Sequence, residues 1–185
     1  MIAENPMLPA SQAGDLGDHP QLPKELCQLY YRVTGILMTS DLESPGLRQV
    51  LTVLREDKGL QELLPYFSQF IQREVKANSK SLNILRILML ATDALWNNPN
   101  VHVQYHLQQM LPAVFTCVVA SKLCQPSTAT GSSGSKDDHW TLRKYAAKII
   151  ANMCINYADV FPDLQARVCK TYCDALESGK SPTTI

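Results

Sequence analysis

Met110-Leu111-Pro112-Ala113-Val114-Phe115-Thr116-Cys117-Val118-Val119 is the most apolar run of this 185-residue chain, with one proline, one threonine and no charge. Periodicity alone leaves such a run open between a buried strand and the middle of a buried helix. Its neighbours decide. Val101 to Gln109 lead in without a turn signal, and Ala120 to Cys124 lead out. The whole predicts one helix over about 101–124, bent near Pro112, where the ring removes a backbone donor and crowds the preceding turn. A helix apolar on nearly every side must be covered on nearly every side. It is therefore expected at the centre of the fold.

Upstream, order is expected from Leu22-Pro23-Lys24-Glu25, since proline suits the first turn of a helix. Leu26, Leu29/Tyr30, Val33 and Ile36/Leu37 follow at helical spacing. A short second helix starts behind Ser44-Pro45 with Leu47, Val50/Leu51 and Leu54. Asp57 is the expected cap of a third, which carries Leu60, Leu63/Leu64, Phe67, Phe70/Ile71 and Val75. Asn78 or Ser79 opens a fourth with Leu82, Leu85, Leu88/Met89, Thr92 and Leu95/Trp96, stopped at Asn97-Asn98-Pro99.

Downstream, Gln125 to Lys136 is low in complexity and reads as a flexible surface loop. Asp137-Asp138 restart a helix, acidic side chains being favoured at its positive end. Its expected buried stripe is Trp140/Leu142, Ala146, Ile149/Ile150, Met153/Cys154 and Tyr157. A last helix behind Asp159 uses Phe161, Leu164, Val168, Tyr172 and Ala175/Leu176. No segment alternates like a strand. Residues 1–21 mix Pro, Gly, Asp, Ser and Gln without an apolar period and read as a disordered tail or linker.

Composition narrows the function. Net charge is zero, and beyond residue 21 there are 17 basic against 14 acidic residues, too weak an excess for a nucleic-acid footprint. No segment resembles a signal peptide or a membrane span. Six cysteines (27, 117, 124, 154, 169 and 173) invite a disulfide reading. All fall within or at the ends of helical patterns, with no secretory signal, so reduced and mostly buried thiols are expected.

An internal repeat organises these helices. Leu63-Leu64-Pro65-Tyr66-Phe67 aligns with Met110-Leu111-Pro112-Ala113-Val114 at an offset of 47. Ile84-Leu85-Arg86 aligns with Thr141-Leu142-Arg143 at 57, or 45 without the twelve loop residues. Helix pairs at this period, the first of each carrying a proline, mark HEAT-type arrays. The expected fold is all-α: a solenoid of about seven helices stacked as antiparallel pairs over residues 22–185.

The same residues carry a family resemblance. Leu22-Pro23-Lys24-Glu25-Leu26 with Gln28 to Tyr31, Gly59-Leu60, Leu64 to Phe67, Phe70-Ile71, Asn98-Pro99, Leu111 to Val114 with Thr116-Cys117, and Lys122 to Cys124 follow one another along the chain. Asp138-His139-Trp140-Thr141-Leu142-Arg143 with Ala146-Ala147, then Gln165 to Val168 with Lys170-Thr171, complete the set. This collinear series resembles the C-terminal HEAT-repeat domain of the TATA-binding-protein-associated factor that is subunit 6 of TFIID. The resemblance implies a nuclear, non-enzymatic scaffold in RNA polymerase II preinitiation-complex assembly, without cofactor or small-molecule substrate. Its implied partners are other subunits of TFIID and, in some lineages, SAGA-type complexes, with at most weak or indirect contact to promoter DNA.

Two departures follow. The family's N-terminal histone fold has no counterpart in residues 1–21, so a histone-fold partner is not expected. The family domain also continues past the position of Ile185, so the repeat domain is expected to be incomplete and its last helix short of cover. A HEAT-type adaptor in transport or signalling shares every periodicity argument, and an all-α enzyme is the reading from a third class.

Particular side chains have two readings each. His102 and His106, four apart, have a spacing that can bind zinc, but lack a third ligand and read as surface rings. Cys169 and Cys173 are favoured as core thiols. Asp138-His139 has acid–base residue types, yet Asp138 is better placed as a helix cap and no nucleophile motif accompanies it. Trp96 and Trp140 are both expected in the core, each costing about 3–5 kcal/mol on truncation to alanine. Arg86 and Arg143 occupy equivalent positions and either bond carbonyls of the neighbouring pair or are solvated. Arg73, Lys76, Lys80, Arg143, Lys144 and Lys148 either line one side, toward an acidic partner or DNA phosphates, or merely solubilise.

Overall fold

The computed structural model describes residues 22–120, 123 and 138–178. The expected tail at 1–21, the loop at 125–136, Cys124 and Asp137 lie outside them. Seven α-helices occupy the described residues, with no strand among them. They are α1 (Lys24–Thr39), α2 (Pro45–Glu56), α3 (Leu64–Ala77), α4 (Leu82–Trp96), α5 (Leu107–Val119), α6 (Asp138–Asn156) and α7 (Leu164–Ser178).

The helices form two layers. Tyr30 of α1 sets its ring 5.3 Å from Phe67 and 6.4 Å from Phe70 of α3. α3 packs on α5, and Phe115 of α5 meets Tyr172 of α7 at 5.6 Å. The other layer runs α2, α4, α6, each packed on the next. Contacts between layers join α1 to α2, α3 to α4 and α5 to α6. These are stacked hairpins, each pair burying a face of its predecessor.

The internal repeat survives as a register of burial. At the offset of 47, Leu60/Leu107, Leu63/Met110, Leu64/Leu111, Phe67/Val114 and Phe70/Cys117 are buried at both members. At 57, Leu85/Leu142, Met89/Ala146, Thr92/Ile149 and Trp96/Met153 are buried at both. Buried hydroxyls do not interrupt the core, because Thr34, Ser68 and Thr92 each donate to the carbonyl four residues back, at 2.8–2.9 Å.

Several expectations are corrected. The apolar run is not one helix of two dozen residues. A 3-10 turn at Val103–His106 precedes α5, which ends at Val119. The helix covered on all sides is α4, in contact with α1, α2, α3, α5 and α6. Nine of its fifteen residues are buried, and only two, Arg86 and Asp93, carry charge. Asp57 caps not α3 but a 3-10 turn, Lys58–Gln61, its carboxylate accepting from Gly59 N at 2.8 Å. Pro65 therefore sits in the first turn of α3, where a missing N–H costs nothing. Pro112 is inside α5 but exposed, where water can reach the carbonyl its ring leaves unpaired. The fourth helix opens behind Ser81 and the last at Leu164.

Trp140 is also misplaced by the periodic reading. It is 55% exposed, whereas Trp96 is 8% exposed. Trp140 and Leu142 differ by two positions, about 200° around a helix, and cannot share a stripe. Leu142, Ala146, Ile149, Ile150 and Met153 form the buried one. By the repeat, Trp140 matches half-exposed Asn83, and it is Met153 that matches Trp96. Trp140→Ala is accordingly expected to shift stability by less than about 1 kcal/mol, measured by thermal or denaturant melting.

Candidate interaction surface

No group of three or more His, Cys, Asp or Glu side chains comes together as a metal site among the described residues. His102 lies before the 3-10 turn and His106 at its end, so the two do not share a helix face. His102 instead packs edge-on to Tyr105 at 6.3 Å, and His106 Nδ1 lies 3.4 Å from Gln109 Oε1. Among the described cysteines Cys117 is buried, whereas Cys169 and Cys173, expected in the core, are exposed. Burial pushes the Cys154 thiol up, which keeps it protonated. Asp138 is the first residue of α6, and His139 stacks at 5.1 Å on Trp140.

Several polar side chains tie one helix to another. Arg143 donates to the carbonyls of Val118 and Ala120, the latter at 2.6 Å. These are among the last carbonyls of α5, which have no partner within the helix. Of the two readings open for this arginine, the structure takes carbonyl bonding, but to α5 of its own hairpin and not to the neighbouring pair. Trp140 lies over the same guanidinium, 5.8 Å from its carbon to the ring centroid. An aromatic on the outer face is thereby explained: it shields the clamp from water.

Two further ties went unread in the sequence. Asn98 donates from Nδ2 to the carbonyls of Leu54 and Asp57, both at 3.0 Å, and its Oδ1 accepts from Asn100 N at 2.8 Å. Asn100 donates to Glu56 O at 3.0 Å, and Gln61 accepts from His102 N at 2.7 Å. Asn97-Asn98-Pro99 was legible as a stop, but nothing local shows that the stop also laces two turns forty-odd residues apart. Across the second layer, Tyr145 of α6 donates to Asp93 of α4 at 3.0 Å, and Arg55 of α2 lies 3.7 Å from the same carboxylate.

Burial, with the Asp93 carboxylate beside it, holds the Tyr145 hydroxyl protonated well above its ordinary value of 10.0. The folded state thus keeps this proton more tightly than the unfolded chain. Its stabilising share is complete below pH 10 and is lost as the pH rises above it. Tyr145→Phe is expected to cost about 1–2 kcal/mol at pH 7 and to make stability fall less steeply above pH 10, read by denaturant melts across pH.

The basic residues are spread over different helices. Arg73 and Lys76 are exposed on α3, in the first layer, and Lys80 follows α3. Lys144 and Lys148 are exposed on α6, in the second layer and the next pair. Arg73 already bonds Glu74 at 3.0 Å and lies over the Phe70 ring. Arg143 is taken by the clamp.

Among the described residues, an apolar groove of about 600 Å³ lies between α6 and α7, walled by Ala151, Cys154 and Ile155 on one side and Val168 and Tyr172 on the other. None of its lining residues is charged.

Two layers of stacked antiparallel pairs, laced by side-chain amides, define a HEAT-type α-solenoid. The chain belongs to the TAF6 C-terminal HEAT repeat domain family, whose model matches residues 18–185. It is 34% identical over 163 residues to transcription initiation factor TFIID subunit 6 of Arabidopsis thaliana, covering 88% of this chain and 28% of that one. To the SAGA complex/transcription factor TFIID complex subunit Taf6 of Schizosaccharomyces pombe it is 37% identical, over 87% and 34%. The chain thus spans about a third or less of these relatives. Among solved structures, the TAF6 C-terminal domain from Antonospora locustae superposes with a TM-score of 0.66 at 26% identity, over 82% of this chain and 68% of that one.

Proposed function

We propose that this chain is a non-catalytic scaffold that contributes to assembly of the RNA polymerase II preinitiation complex in the nucleus, docking against other subunits of TFIID. The observation that carries this reading is the collinear match of residues 18–185 to one HEAT domain family, whose relatives are TFIID subunits by name. The stacked fold supports it, since rigid solenoids work by presenting long surfaces. A transport or signalling adaptor would share the architecture, but the relatives named above are transcription factors. SAGA-type complexes remain a second destination on the strength of the fission yeast relative's name. Promoter DNA is left with at most weak or indirect contact, since the basic excess beyond residue 21 is small.

The test is affinity capture of the tagged 185-residue chain from nuclear extract, scored for TATA-binding protein and identified TFIID subunits. Their recovery above an unrelated HEAT array is expected. Enrichment of transport or signalling factors without TFIID subunits would overturn the assignment.

A further inference from the structure

Ser40, in the turn between α1 and α2, has the surroundings of a phosphate acceptor, and we infer that a serine/threonine kinase selective for acidic sequences modifies it. Such a kinase lines its cleft beyond the acceptor with Lys and Arg, so carboxylates that follow the acceptor select the substrate. Among the described serines and threonines, only Ser40 and Thr171 have a carboxylate three residues on, at Glu43 and Asp174. Ser40 has a second directly after it, Asp41.

Backbone separates the two candidates. Thr171 is inside α7, and its hydroxyl donates to Arg167 O at 2.9 Å. Thr39 is likewise helical, its hydroxyl donating to Gly35 O at 2.8 Å. Ser40 lies past the end of α1 with φ −87° and ψ 155°, an extended backbone. Its amide, not its hydroxyl, makes the bond to Ile36 O at 3.0 Å. Asp41 and Glu43 are both exposed. The Glu43 pair with Arg48, at 3.0 Å, stands in open water, where a kinase's cations can take its place. Straightening the turn breaks the backbone bond from Ser44 N to Asp41 O and no helical ladder.

In the transfer, Ser40 Oγ bonds the γ-phosphorus of ATP as the bond from that phosphorus to the bridging oxygen of ADP breaks. The hydroxyl proton passes to the base of the kinase. The phosphate brings nearly two negative charges to the C-terminal end of α1, whose last carbonyls lack helical partners. Asp41 and Glu43 follow it, and the last turn of α1 has no basic residue. Repulsion on all these counts loosens the end of α1 where that helix packs on α2.

The test is incubation of the 185-residue chain with ATP, Mg²⁺ and an acid-directed serine/threonine kinase that is active on a control acidic peptide. One phosphate is expected on the tryptic peptide 33–48, placed at Ser40 by fragmentation. Glu43→Lys, at an exposed position, should slow uptake at Ser40 roughly tenfold, and Glu43→Asp should keep it. The phosphorylated chain should melt about 2–4 °C below the unmodified one, and Ser40→Ala treated alike should not shift. Phosphate on Ser44 or elsewhere but not on Ser40, or uptake at Ser40 indifferent to Glu43→Lys, would overturn the acceptor assignment. Phosphate on Ser40 with no fall in melting temperature would overturn the loosening of α1.

Discussion

Trp96→Ala is expected to lower the free energy of unfolding by about 3–5 kcal/mol, read as an earlier denaturant midpoint with an unchanged slope. Trp96 ends α4 and is 8% exposed. Its indole N–H points at Met110 Sδ, 3.2 Å away on α5. The ring thus fills space between one pair and the next. Removing it leaves a cavity against α5 and strips the contact that orders the Met110 side chain. Trp96→Phe should recover most of the loss, because the N–H···S contact is a minor part of the ring's burial. If Trp96→Ala melted like the parent, the stacking of α4 on α5 would be wrong.

Asn98→Asp is the second large effect, expected at about 3–4 kcal/mol near neutral pH. Asn98 is 3% exposed, and its amide nitrogen serves two backbone carbonyls of the preceding turn. A carboxylate of the same shape offers those carbonyls no hydrogen and faces them with negative charge in a dry site. Asn98→Ala should cost somewhat less, since it removes the donor without adding a charge. The loss with Asp should shrink on acidification, as a protonated carboxyl regains one donor; a loss independent of pH would contradict the lacing role.

Helix number, order and pairing were legible because each helix buries one stripe at helical spacing, and the proline register exposed the repeat. The boundaries that failed did so for a common reason. Apolar residues in 3-10 turns, such as Leu60 and Val103, are as buried as those in helices, so hydrophobicity runs on through a break in the ladder. The centre was misjudged because α5 has the longest uncharged run, while α4 has neighbours on more sides. Trp140 failed because size was allowed to outrank angle: large aromatics also serve as shields over a cation, which periodicity does not distinguish. The amide laces and the Tyr145–Asp93 contact are pairings between residues forty to fifty positions apart, and one sequence carries no trace of such partners.

The Arg143 clamp has a consequence for how this fold tolerates breakage. It grips the end of α5 from within α6, and the two helices also pack on each other. The covalent link between Val119 and Asp138 is therefore not what keeps the hairpin closed. A single protease cut inside 125–136 should yield two fragments that co-elute as one particle and separate only in denaturant. The same position suits a split reporter, its halves rejoining without an engineered fastener, and Arg143→Ala should be tolerated far better by the uncut chain than by the nicked one.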